Sequence, residues 1–96
     1  MSRRTTYRFR LYIAGDTVNS TQAIANLTAL CQAYLLDRHE IEIVDVFLQP
    51  QRALDDGILM TPILIKVSPA PIRRIIGTLS HEQVLLQILD VGSYVP

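Results

Sequence analysis

The side chains able to do chemistry in this 96-residue chain are few and badly spaced for it. Cys31 is the only cysteine, so there is no disulfide framework, no C-x-x-C pair and no cysteine-rich metal site. It falls on the apolar side of a helical pattern, where a thiol serves as a small buried hydrophobe. His39 lies in a polar connection and His81 near a helix start. Neither has the spacing of a metal pair or of a nucleophile, base and orienting group. Asp55 and Asp56 adjoin each other on a short helix and read as a solvated face, not as an acid/base pair. No phosphate-binding loop or dinucleotide glycine motif is present. Catalytic residues, cofactor and metal are therefore all expected to be absent.

What remains is recognition chemistry. Arg73 and Arg74 are adjacent on a predicted strand, so their side chains leave opposite faces and at least one needs an assigned partner. An Asp or Glu within the fold and a partner protein both fit. Arg8 and Arg10 share one face of the first strand, where solvated charge is expected. Tyr7, Tyr12 and Tyr34 read as core or interface aromatics. Residues 61–77 join two apolar runs through Pro62, Pro69 and Pro71 and end in the paired arginines. Proline fixes φ and removes a donor, so three together constrain the backbone sharply, and X–Pro bonds allow this region more than one conformation.

Composition narrows the classes further. Nine basic and nine acidic residues cancel, which argues against nucleic-acid binding by bulk charge. Their placement is uneven, with Arg3, Arg4, Arg8 and Arg10 near the start and Asp37, Glu40, Glu42, Asp45, Asp55 and Asp56 in the middle. That pattern suits a matching protein surface. An apolar share of 49% supports one small domain over residues 1–96, with surface left for a partner or self-association. No signal peptide and no apolar run of roughly 20 residues is visible, so no membrane span and a cytoplasmic location are expected.

The elements that position these residues follow from periodicity. Residues 7–14 alternate arginine with large apolar side chains as a strand ended by Gly15 and Asp16. Ala23, Ile24, Leu27, Leu30, Cys31, Tyr34 and Leu35 then recur at helical spacing, capped by Thr17, Asn19 or Ser20. Residues 40–47 alternate acidic with β-branched residues as a second strand, giving a βαβ unit with parallel strands. A short helix over 50–56 turns Leu54 and Ile58 inward, 63–67 forms a third strand and 72–76 its hairpin partner. A last amphipathic helix starts at Ser80, with Glu82 or Gln83 in a capping box and Val84, Leu85, Ile88 and Leu89 on its apolar side. The order βαβαββα is that of a thioredoxin-like α/β domain. Yet the corner between first strand and first helix, Ala14, Gly15 and Asp16, holds no cysteine, which contradicts a thiol redox role.

Four runs, in order, carry a resemblance. They are Leu11, Tyr12, Ile13, Ala14 and Gly15 with Asn19 and Ser20; Ile43, Val44, Asp45 and Val46 with Gln49, Pro50 and Gln51; Ile58, Leu59, Met60, Thr61 and Pro62; and Pro71 through Ser80, which holds Ile72, Arg73, Arg74, Ile75, Ile76 and Gly77. From about Tyr7 to Asp90 the chain resembles the KaiB family of circadian-clock proteins. That resemblance implies a non-catalytic regulator. An oligomeric ground-state form, a tetramer built from dimers, switches slowly to a thioredoxin-like monomer with a refolded C-terminal half. The monomer docks on the hexameric KaiC-type ATPase and promotes its dephosphorylated state, with KaiA and output histidine kinases as further partners. By position, the resemblance implies partner contacts at Tyr7, Arg8, Arg10, Arg73 and Arg74, and a fold-switch region that includes Pro62, Pro69, Pro71, Ile88 and Asp90.

The chain departs from that family pattern at several positions. Gly57 replaces a lysine, Met60 and Ala70 replace an alanine and a proline, Ile88 replaces a glycine, and an acidic tail is missing. These differences imply a divergent paralogue serving a nonstandard KaiC. A KaiB-derived stress or signalling adaptor with another partner and no oscillator role is the competing expectation.

Overall fold

Alternation places Tyr7–Ile13 (β1) inside a sheet: Tyr7, Phe9, Leu11 and Ile13 are buried against one face, while Arg8, Arg10 and Tyr12 turn to the other. The computed structural model describes residues 5–91. β1 pairs in parallel with His39–Asp45 (β2), setting Arg8 opposite Glu40 and Arg10 opposite Glu42. It pairs antiparallel with Ile63–Ser68 (β3), which pairs antiparallel with Arg73–Ile76 (β4). The order β2-β1-β3-β4 makes β2 and β4 the edges.

Three helices cover the sheet unequally. Val18–Tyr34 (α1) begins at Thr17, whose hydroxyl accepts the Ser20 N–H at 3.2 Å. It packs with Glu82–Ile88 (α3) on the face that holds Phe9, Leu11 and Leu64, through Leu27, Leu30, Leu85 and the following Leu89. The short Pro50–Asp55 (α2) covers only part of the opposite face, where Ala53 meets Tyr12, Val44, Ile63 and Ile65. Element order and the hairpin between β3 and β4 agree with the expected βαβαββα pattern.

Four local expectations need correction. β2 stops at Asp45 rather than residue 47, because the Asp45 carboxylate accepts the Phe47 N–H at 2.9 Å and its carbonyl accepts the Leu48 and Gln49 N–H groups. Leu54 points to solvent; at this turn of α2 the inward residue is Ala53. α3 begins at Glu82 after His81, with no side-chain cap, so the capping box at Ser80 does not form. Leu79, buried at φ +64°, turns the chain just before it, and the Ser80 hydroxyl pairs with that of Thr78 instead. Val84 and Ile88 stay exposed, leaving Leu85 and Leu89 to anchor the segment. The Thr61–Pro62, Ser68–Pro69 and Ala70–Pro71 bonds are all cis.

Candidate protein-docking surface

Parity along β3 sends Lys66 to the same face as Leu64, into the layer under α1 and α3, where its side chain is fully buried. An ammonium there needs partners. Lys66 Nζ donates to the Leu89 carbonyl at 3.0 Å and lies 3.4 Å from Asp90 Oδ2 and 5.9 Å from the centre of the Tyr7 ring. The Tyr7 hydroxyl donates to the Asp90 carbonyl at 3.1 Å, and Arg73 Nε lies 3.6 Å from the same carboxylate oxygen. Tyr7, Arg73 and Asp90, each singled out from the sequence, thus converge around a lysine that was not. Its signal was a charged residue at core parity between Ile65 and Val67.

The opposite face carries a second polar network. Arg10 donates to Glu42 Oε1 and Asp56 Oδ2, both at 3.0 Å, and Arg52 grips both oxygens of Glu42. The buried Tyr12 hydroxyl donates to Asp56 Oδ2 at 2.5 Å and lies 3.1 Å from the Arg52 carbonyl. Hydrogen bonds from Arg52 and then Arg10 hold the Glu42 carboxyl down at about 2. The Tyr12 hydroxyl, followed by Arg10, likewise lowers Asp56, while burial first and Asp56 second raise Tyr12. Asp56 is therefore a bound partner and not the solvated face expected of it. Arg74 Nη2 donates to the Asp56 carbonyl at 2.7 Å, and Arg8 lies 3.5 Å from Glu40 near the sheet's uncovered end.

Of the residues nominated for partner contact, Arg8, Arg73 and Arg74 are exposed, Arg10 is half-buried and Tyr7 is buried. In the nominated switch region, Pro62 is buried, Pro69 and Asp90 are half-buried, and Pro71 and Ile88 are exposed.

Beyond the carboxyl ends of β1 and β2 lies an apolar patch that sequence reading passed over. Open α/β sheets hold ligands at that end. Phe47, Leu48, Leu59 and Met60 are 72%, 78%, 93% and 58% exposed. A cavity of about 270 Å³ opens among Phe47, Leu59 and Met60, lined also by Ala14, Val46, Ala53 and Ile58. Gly15 adopts φ +61°, and a Cβ there would meet the Phe47 ring at 3.5 Å, so glycine serves the turn beside the patch. Cys31 is far from supplying a thiol here: it is buried in the α1 core, and desolvation pushes it up to about 12. Among the described residues no group of three His, Cys, Asp or Glu side chains can hold a metal, and no helix is long and apolar enough to cross a membrane.

Comparison with solved structures gives the fold. The chain superposes on the N-terminal domain of Synechococcus elongatus SasA with a TM-score of 0.73 at 17% identity, covering 94% of this chain and 89% of that one. Yeast mitochondrial thioredoxin 3 gives a TM-score of 0.70 at 20% identity, over 91% and 80% of the two chains. The fold is thioredoxin-like. Among sequences, the circadian clock protein KaiB3 of Synechocystis sp. is 50% identical over 82 residues, 85% of this chain and 80% of its own. The circadian clock oscillator protein KaiB of a Synechococcus sp. is 44% identical over 91 residues, 95% and 83% of the two chains. The KaiB domain matches residues 10–91, and with these identities over most of its length the chain belongs to the KaiB family of circadian-clock proteins.

Proposed function

We propose that this chain is a non-catalytic regulator that docks on a hexameric KaiC-type ATPase and promotes its dephosphorylated state. The observation that carries the reading is the apolar patch beyond the carboxyl ends of β1 and β2. A thioredoxin-like end without a cysteine pair cannot exchange thiols, whereas exposed Phe47, Leu48, Leu59 and Met60 offer desolvable contact area. Exposed Arg8, Arg73 and Arg74 supply charged contacts, and Tyr7 and the half-buried Arg10 are the remaining contact residues. A slow switch from an oligomeric ground state, tetrameric in type, to the thioredoxin-like monomer sets the binding rate. The segment that repacks includes Pro62, Pro69, Pro71, Ile88 and Asp90. KaiA and output histidine kinases are further partners, and the protein acts in the cytoplasm.

The test is size-exclusion chromatography with light scattering, before and after hours of incubation with a cognate KaiC homologue and ATP. A large complex that grows slowly at the expense of the free form is expected; an unchanged profile ends the proposal. A second reading, an adaptor for another partner with no oscillator role, is favoured by one observation. Identity to the protein named KaiB3 is 50%, against 44% to an oscillator protein KaiB. Under that reading the incubated profile stays unchanged.

A further inference from the structure

The chain's sulfur is carried by one cysteine and two methionines. Met1 lies outside the described residues, and Cys31 is sealed in the α1 core. Among the described residues Met60 is therefore the sulfur that a dissolved oxidant reaches, at 58% exposure.

That exposure is built into the fold. The segment carrying Met60 is pinned at both ends: the Ile58 N–H donates to the Ala53 carbonyl at 2.8 Å, and the Pro62 carbonyl accepts the Gly77 N–H at 2.9 Å. Ile58 packs against the core beneath α2, and Pro62 is buried. Between these anchors Leu59 and Met60 both stand in water. Met60 also lines the 270 Å³ cavity with Phe47, Ile58 and Leu59, so its thioether is part of an apolar wall.

Oxidation changes the character of that wall. With a hydroperoxide, the thioether lone pair attacks one peroxide oxygen, and the S–O bond forms as the O–O bond breaks. The departing hydroxide takes the proton from the new S–OH group and leaves as water. Sulfur loses two electrons and the peroxide gains them. A dithiol reductant acting through methionine sulfoxide reductases reverses the step, yielding thioether, disulfide and water. The sulfoxide sets a strong acceptor in the patch, where Thr61 has the only side-chain donor of the cavity lining. A partner that covers the patch strips water from this oxygen and returns little for it.

We infer that Met60 is a reversible peroxide-modification site, and that its oxidation lowers the affinity of this patch for apolar surface. The effect on docking rests on the reading of the patch as the face that meets a KaiC-type ATPase; the modification and the change in polarity do not.

Peptide mapping by mass spectrometry, after hydrogen peroxide treatment of the native protein, is expected to place an added oxygen on Met60 and none on Cys31. The oxidised protein is expected to elute earlier from a phenyl column, and sulfoxide reductases with a dithiol restore the original elution. Oxidation is expected to weaken binding to the KaiC homologue by about tenfold, again reversed by repair. In Met60→Leu, elution and affinity, whatever their starting levels, do not move with peroxide. Met60 left intact while free methionine is consumed, a peroxide shift in Met60→Leu equal to that of the wild type, or unchanged affinity of the oxidised protein overturns the inference. Should Met60→Leu fail to fold, reversal by the reductases on the wild type decides, and an oxidised elution that repair does not restore overturns the inference. Reduced protein that does not bind the homologue at all overturns the docking proposal instead, and the phenyl column then decides this inference alone.

Discussion

The Lys66 ammonium donates to the Leu89 carbonyl at 3.0 Å, tying the chain that leaves α3 to the middle of the sheet. Asp90 and the Tyr7 ring complete its surroundings, so a cation excluded from water is compensated by one carbonyl, one carboxylate and one aromatic face.

Lys66→Ala should therefore lower stability by about 2–4 kcal/mol, with Lys66→Met, which keeps the volume, losing about half as much. Urea denaturation reads the loss, and amide exchange should show the segment from Leu85 to Val91 opening first. A wild-type midpoint for Lys66→Ala would mean that the clasp carries no stability.

Acid should act through Glu42. Its folded carboxyl titrates at about 2, below the unfolded value of about 4.3, so its stabilising contribution is complete above about pH 4.5 and is lost as pH falls toward 2. Asp56, also lowered, adds in the same direction. Glu42→Gln should flatten the fall in stability across this window. Parallel curves for the variant and the wild type would remove Glu42 as the source.

Cys31 should resist thiol reagents at neutral pH in the native state, since it is buried and its ionisation is pushed up to about 12. Labelling is expected at the rate of unfolding and to accelerate with denaturant. Rapid labelling of the native protein would contradict the burial of that helix face.

Leu59 is the most exposed large apolar residue of the patch, so Leu59→Ser should leave stability within about 0.5 kcal/mol of wild type. If the patch is the docking face, the same change should weaken binding to the KaiC homologue by about tenfold or more. Unchanged affinity with intact folding would move the interface elsewhere.

Much of this was legible in the residues. Period-two alternation from Tyr7 and period-3.6 recurrence from Ala23 fixed β1 and α1, because Tyr7, Phe9, Leu11 and Ile13 line one buried face of the strand and Ala23, Leu27, Leu30 and Cys31 one of the helix. Arginine parity at 73 and 74 asked for at least one partner and left an internal acid and a partner protein both open; in the fold Arg73 lies by Asp90 and Arg74 donates to the Asp56 carbonyl. Strand reading failed past Asp45, where a side-chain carboxylate competes for the Phe47 N–H and turns the chain. It also could not foresee the patch: Phe47, Leu48, Leu59 and Met60 look like core from hydropathy alone, and only the turns that carry them put them in water. Lys66 was missed because its compensation comes from residues more than 20 positions away.

The rungs Arg8–Glu40 and Arg10–Glu42 also act as an alignment code for the β1–β2 pair. Sliding β2 by one residue would drive both glutamates under α1, into the layer of Phe9 and Leu11, and sliding it by two would strand one arginine without its acid. A single alignment satisfies greasy and charged sides together. The pairing thus carries its own error check, one that acts as soon as the two strands meet, before either short helix has docked.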